Sequence, residues 1–166
     1  ILKEYPPFEA VPSAAEIGLT IGKKDGMSFA WMNISKISNE SDDYRTNYAT
    51  FGQSFDAATS GPRNFIEEEV LQLEPDVIVS MNVGQQLCKA LKDVAKISPI
   101  SKHDKWLKGV YNLTFKSKQG QNSILIDAYH FAAHDTKYLK GFGDRRSFYD
   151  PICSAALDFV NATRRS

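Results

Sequence analysis

Two of the three histidines in the chain lie within one short stretch, ILIDAYHFAAHD at residues 124–135. Its apolar run is typical of a buried strand, and His130 and His134 follow the carboxyl end of that strand. An imidazole titrates near neutral pH, so His130 is placed for acid–base chemistry or for stabilising developing charge. A purely structural hydrogen bond is the alternative. Asp127 must find buried partners, and we expect it either to pin a neighbouring loop or to take part in acid–base chemistry.

Two other predicted strands also end on polar side chains. MSFAWMNIS, residues 27–35, is an aromatic and apolar run that reaches Asn33, and DVIVSMN, residues 76–82, is a short apolar run that reaches an asparagine. Ligands of open parallel sheets bind outside the carboxyl ends of the strands. A structural capping role is the alternative for each polar residue. The residues that we expect to line a pocket at this edge are Asn33, Ser80, Asn82, Tyr129 and His130.

The pattern of elements predicts the fold class. NFIEEEVLQL at residues 64–73 has a helical apolar face, Pro75 ends it, a strand follows, and VGQQLCKALKDVA at residues 83–95 predicts another helix. This alternation indicates an α/β protein. We expect one domain over residues 1–166, a three-layer α/β/α sandwich with a mostly parallel central sheet of about four strands.

The remaining segments are less periodic. Residues 38–62 are rich in Ser, Asn, Asp, Thr and Gly and predict a long excursion. GVYNLTF and ILIDAYH predict two strands around a polar turn, and residues 134–146 predict a basic loop. PICSAALDFVNATRR predicts a closing helix with Pro151 in its first turn.

Composition narrows the classes of partner. The 166 residues have a net charge of zero, but residues 1–80 carry 6 Lys/Arg against 13 Asp/Glu, and residues 81–166 carry 14 against 7. A basic face on the second half suits a phosphate-rich partner, whereas solvated helix faces are the plainer explanation. No apolar run approaches the roughly 18 residues of a membrane helix, so we expect no membrane association. Cys88 and Cys153 lie far apart without CxxC spacing, and we expect both to pack in the core. Because the sequence begins with no recognisable export signal and needs no oxidising compartment, we expect a cytoplasmic protein.

Three motifs in order resemble the uracil-DNA glycosylase superfamily, particularly its family-four-like branch. WMNISKI (31–37) is similar to the family's Asn-bearing strand end, NFIEEEVLQLEPDVIVSMN (64–82) to its acidic helix and following strand, and DAYHFAA (127–133) to its strand ending in TYHPAA. The resemblance covers roughly residues 28 to 160. It implies excision of uracil or a related damaged base from DNA, single- or double-stranded, by a monomer.

The resemblance implies roles for individual residues. Asn33 matches the asparagine that hydrogen-bonds the edge of an extruded uracil, and His130 matches the histidine that stabilises the departing base. The segment 134–146 would grip the backbone and fill the gap left by the flipped base. The residues implied in DNA-backbone or wedge contacts are Lys36, Lys137, Tyr138, Leu139, Lys140, Arg145 and Arg146.

The sequence also departs from the family. The glycine-rich first motif, GEAPG, is not recognisable, and we expect that it precedes Ile1 or has been lost together with part of the activity. Ile37 and Pro62 stand where iron–sulfur cysteines would be, so we expect no cofactor and no metal. Phe131 replaces the proline after the motif histidine, and Asn82 replaces a glycine after the second strand.

Two alternatives belong to other functional classes. The segment 64–80 also resembles the helix and strand of periplasmic metal- or siderophore-binding proteins, in which case His103, His130 and His134 would be ligand contacts. A non-catalytic α/β interaction module with structural histidines is the other. A steep dependence of DNA binding on salt would favour the glycosylase-like interpretation over both.

Overall fold

A computed structural model describes residues 48–101, 103–104, 106–116, 122–129 and 145–163. Within these ranges the chain forms four helices and four strands. They are α1 (Tyr48–Thr59), α2 (Phe65–Leu73), β1 (Val77–Met81), α3 (Gly84–Leu91), β2 (Ala95–Pro99), β3 (Gly109–Phe115), β4 (Asn122–Ala128) and α4 (Arg145–Thr163). The prediction of an α/β protein is confirmed. None of the helices in the described ranges has the length and apolar character needed to cross a membrane.

The four strands form one mixed sheet in the order β1-β4-β3-β2. Only β1 and β4 are parallel; β3 is antiparallel to both β4 and β2. The prediction of a mostly parallel sheet is therefore wrong. Residues 116–121, which connect β3 to β4, are too few for the crossover of about a dozen residues that parallel neighbours need.

The elements from residue 64 to residue 91 confirm the predicted alternation of helix, strand and helix. Asn64 caps α2, because its side chain accepts a hydrogen bond from the backbone N–H of Glu67 at 3.1 Å. Glu74 ends the helix in the left-handed conformation, with φ of 49°. Ile66 and Val70 are buried. These local signals explain why this segment could be read from sequence.

Two buried clusters lie against the sheet. The first joins α2 and α3 to alternate residues of the central strands, including Leu113 and Leu125. The second joins α4 to the intervening residues, including Val110, Ile124 and Ile126. Because side chains alternate along a strand, the two clusters contact opposite faces of β3 and β4.

Three segments differ from their predicted structure. Residues 48–59 form α1 within the predicted excursion, because Phe55 and Ala58 share one helical face and are buried. Helix α4 begins at Arg145, so the end of the predicted basic loop is helical and Pro151 lies inside the helix. The segment Ala95–Pro99 forms strand β2, although its first residue is the last one of the helix predicted at residues 83–95. The predicted strand at 27–35 lies outside the described residues.

Candidate functional site

The carboxyl ends of β1 and β4 lie side by side because the two strands are parallel. Ser80 pairs with Asp127, and Met81 pairs with Ala128. The backbone N–H of Asn82 donates to the carbonyl of Ala128 at 2.9 Å, so the ladder extends one residue beyond β1. Polar residues of both strands therefore meet at one edge, as the sequence predicts for this pair of strands.

Asp127 is the buried charge at this edge, with 5% of its surface exposed. Its Oδ1 accepts a hydrogen bond from the hydroxyl of Ser80 at 2.7 Å and another from the backbone N–H of Val83 at 3.1 Å. These bonds fix the turn that leads from β1 into α3. Of the two roles expected for Asp127, pinning a neighbouring loop is thus present in the structure.

Gly84, the first residue of α3, allows the helix to approach this carboxylate. A Cβ atom at this position would lie 2.5 Å from the Cβ of Asp127 and 2.6 Å from its Cγ. Any side chain at residue 84 would therefore collide with Asp127. The α3 N-terminus, where a helix favours negative charge, lies directly against the buried carboxylate.

Asn82 makes the sharp turn between β1 and α3 with a φ of 64°. Asparagine adopts the left-handed region more readily than most residues other than glycine. This conformation explains why an asparagine can stand where the glycosylase resemblance places a glycine. The turn leaves the Asn82 side chain exposed at the edge of the sheet.

A small pocket with a volume of about 220 Å³ opens at this edge. Its lining is polar and consists of Asn82, Gln85, Gln86, Lys108, Tyr111 and Asp127. Drug-sized ligands occupy pockets of about 300–1,000 Å³, so this one suits a single small ring or a comparable polar group. Three amides, a phenol and a carboxylate among the side chains of the lining residues offer both donors and acceptors to such a ligand.

Tyr111 contributes a hydroxyl donor to the pocket. Its pKa is raised, first by burial of the hydroxyl and then by the nearby Cys88 and Asp127. The phenol is therefore neutral at physiological pH and able to donate a hydrogen bond.

The described base-binding candidates occupy three different positions. Asn82 lines the pocket. Ser80 is buried behind it, where its hydroxyl is engaged by Asp127. Tyr129 is half-buried and packs against the second cluster, with the Lys108 ammonium 5.9 Å from its ring centroid. Of the three, Asn82 alone is among the residues that line the pocket.

The other predicted site residues fall mainly outside the described ranges. Arg145 and Arg146 are the first two residues of α4 rather than part of a loop. The remaining members of the predicted site lie outside the described residues, and they are Asn33, Lys36, His130, Lys137, Tyr138, Leu139 and Lys140.

Sequence reasoning missed most of the pocket lining. Gln85 and Gln86 follow β1 at the start of α3, so the rule that ligands lie beyond strand ends could have found them. Lys108 and Tyr111 belong to the start of β3, and they reach the pocket only because β3 pairs with β4 in the antiparallel sense, with Gly109 opposite Asp127.

A second, larger cavity of about 1,120 Å³ lies between α4 and the face of the sheet that carries the second cluster. His103, one of its lining residues, is exposed, and its Nδ1 is 3.1 Å from the carbonyl of Ile100. Among the residues with a described position, no group of three or more His, Cys, Asp or Glu side chains is arranged to hold a metal ion.

No family model, curated protein or solved structure matches this chain.

Proposed function

We propose that the protein is a DNA base-excision glycosylase-like protein that accepts uracil or a related damaged base at the edge formed by β1 and β4. The observation that carries this proposal is the small polar pocket beyond the carboxyl ends of these strands, which is lined by three residues with amide side chains. An amide presents a donor and an acceptor side by side, which is the pattern that the edge of a nucleobase requires.

The size and position of the pocket support a base over a larger ligand. About 220 Å³ is small compared with ordinary cofactor sites, so the rest of a nucleotide would remain outside. An enzyme that acts on a base in DNA takes that base out of the stack and encloses it alone. We also propose that the domain is a three-layer α/β/α sandwich and that the protein is a cytoplasmic monomer.

The proposed reaction is hydrolysis of the N-glycosidic bond. The bond between the sugar C1′ and the base nitrogen breaks, the base leaves with the electron pair, water supplies the hydroxyl that remains on C1′, and the other proton of that water ends on the released base. A positioned donor lowers the barrier by stabilising negative charge on the leaving base. The proposal assigns this role to His130, which follows Tyr129 directly after β4, and assigns recognition of the base edge to Asn33.

Extrusion of the base needs a grip on the DNA backbone. The proposal assigns it to the basic segment at residues 134–146, with Tyr138 and Leu139 as wedge residues. Phosphate contacts of this kind make affinity fall steeply with salt. A protein that binds a base without cleaving it would share the pocket and the salt dependence but release no base.

The test is release of uracil from a single-stranded oligonucleotide by the whole chain. We expect His130→Ala to slow release by at least about tenfold, which corresponds to roughly 1.4 kcal/mol of transition-state stabilisation. The matched control is His103→Ala, because His103 is exposed and lines the other cavity. An unaltered rate in His130→Ala removes that residue from the mechanism. If the wild-type chain neither releases uracil nor binds DNA in a salt-dependent manner, the proposed function is refuted.

A further inference from the structure

The two oxygens of the Asp127 carboxylate have different surroundings. Both hydrogen bonds to this side chain, from Ser80 and from Val83, end on Oδ1. Oδ2 accepts no hydrogen bond from any described residue. The two ion pairs found in the described ranges are Arg63–Glu68 and Lys89–Asp56, so no described cation pairs with Asp127.

An unpaired oxygen on a buried carboxylate requires a physical reason. Only 5% of the surface of Asp127 is exposed. A buried acceptor without a hydrogen-bond partner costs about 1–3 kcal/mol, or more when it is charged. The same carboxylate lines the pocket beyond the strand ends. A ligand in that pocket can supply the hydrogen bond that the described protein groups do not.

The other lining groups complete a pattern. Tyr111 is a neutral phenol that can donate. The pocket lining therefore offers the buried Asp127 carboxylate as an acceptor beside the Tyr111 hydroxyl as a donor, while the three amide side chains can each donate or accept. Its complement is a ring edge with one donor beside acceptors. The Watson–Crick edge of cytosine has this order, with an exocyclic amino group followed by a ring nitrogen and a carbonyl oxygen, and a carboxylate is a known acceptor for that amino group.

We infer that Asp127 is a ligand-binding residue and that the pocket selects an amino-bearing base of the cytosine type over a base with a carbonyl at the same position. This inference rests on the proposed function of a base-binding glycosylase-like pocket; of the two possibilities named there, it favours a related damaged base that keeps the amino group of cytosine over uracil. Uracil places a carbonyl oxygen where cytosine has its amino group, so that oxygen would face Oδ2 and the two acceptors would repel each other. The same Asp127 thus fixes the turn into α3 with one oxygen and reads the base with the other.

The test is a titration of the whole chain with free cytosine and, separately, with free uracil. Binding is measured from the changes in backbone amide chemical shifts in NMR spectra. We expect cytosine to bind at least about tenfold more tightly than uracil, with the largest shifts at Gln85, Gln86 and Tyr111. Asp127→Asn is the informative variant, because asparagine has nearly the same shape. Its carbonyl can keep the bonds from Ser80 and Val83, while its NH₂ replaces the acceptor with a donor. We expect this variant to lose the preference for cytosine and to bind uracil at least as tightly.

Ser80→Ala is the matched control, since it removes a structural hydrogen bond of Asp127 and leaves Oδ2 unchanged. We expect it to be less stable and still to prefer cytosine. An amide spectrum that stays well dispersed shows that each variant is folded. Equal affinity for the two bases, tighter binding of uracil, shifts away from the pocket, or an unchanged preference in Asp127→Asn would overturn the inference. Release of uracil from DNA together with any of these results would leave the proposed function standing, so the two failures are distinguishable.

Discussion

Gly84→Ala tests whether the close approach of α3 to Asp127 holds the site together. Gly84 is buried at the start of α3, and an added Cβ would lie 2.5 Å from the Cβ of Asp127, 2.6 Å from its Cγ and 2.9 Å from its Oδ2. Carbon atoms in contact prefer about 3.5–4.0 Å, so the helix and strand would have to separate by about 1 Å. Asp127 cannot turn aside easily, because β4 is paired on both sides and Oδ1 is held by two hydrogen bonds.

The size of the effect follows from this overlap. Overpacking a well-ordered interior costs about 1–3 kcal/mol, and the better helix propensity of alanine returns at most about 1 kcal/mol. An approach of 2.5 Å puts the overpacking cost at the upper end of that range, about 2–3 kcal/mol, so we expect a net loss of about 1–3 kcal/mol in the free energy of unfolding. That is a large fraction of the 5–15 kcal/mol typical of a folded domain, to order of magnitude.

Urea denaturation measures this loss, with the slope m checked for constancy between variants. Gly52→Ala is the matched control: Gly52 lies inside α1, nothing would lie within 4 Å of its Cβ, and we expect a gain of about 0.5–1 kcal/mol. A double-mutant cycle with Asp127→Gly, which removes the colliding atoms, should reduce the loss at residue 84. Unchanged or increased stability of Gly84→Ala would refute the described contact between α3 and β4.

Two further predictions concern the cap of α2 and the cysteine thiol that is influenced by Asp127. Asn64→Ala removes both the α2 cap and the hydrogen bond from Nδ2 to the Ala90 carbonyl at 2.8 Å. We therefore expect urea denaturation to show a loss of about 1–3 kcal/mol in the free energy of unfolding. Asn64→Ser keeps a capping oxygen and should lose about 1 kcal/mol less than Asn64→Ala. The pKa of the Cys88 thiol is raised, first by burial and then by the charge of Asp127, so the pH profile of its alkylation should move to lower pH in Asp127→Asn. The raised pKa of Cys153 has burial and Asp150 as its causes, and its profile should stay in place; equal movement of both would contradict the assignment.

The parts of the fold that sequence predicted are those with local causes. The α2 boundaries follow from a capping asparagine and a break before Pro75, and β1 follows from an uninterrupted apolar run. Residues 48–59 were missed because polar composition outweighed the spacing of Phe55 and Ala58; Phe55 is buried in the cluster that also contains residues of α2 and α3. Tertiary contacts of this kind override local propensity, and a single sequence does not reveal them.

The candidate site divides in the same way. Asn82 and Asp127 could be predicted, since polar residues at the ends of apolar strands are conspicuous. Ser80 was predicted as a ligand contact, but its hydroxyl donates a hydrogen bond to Asp127 instead. This pairing is set by the register of β1 and β4. Lys108 could not be predicted at all, because its place in the pocket requires the order and direction of β3.

The mixed sheet determines the chemistry of the pocket. In a parallel sheet, the neighbour of β4 would present its carboxyl end beside Asp127. Here β3 is antiparallel, and its amino end lies there instead, with Gly109 opposite Asp127 and the Lys108 N–H donating to the Asp127 carbonyl at 2.8 Å. The pocket lining therefore combines residues from two strand ends and a helix start with Lys108 and Tyr111 from the start of β3. The Tyr111 hydroxyl beside the Asp127 carboxylate is a consequence of this topology, so the preference for an amino-bearing base depends on the direction of β3 as much as on Asp127 itself.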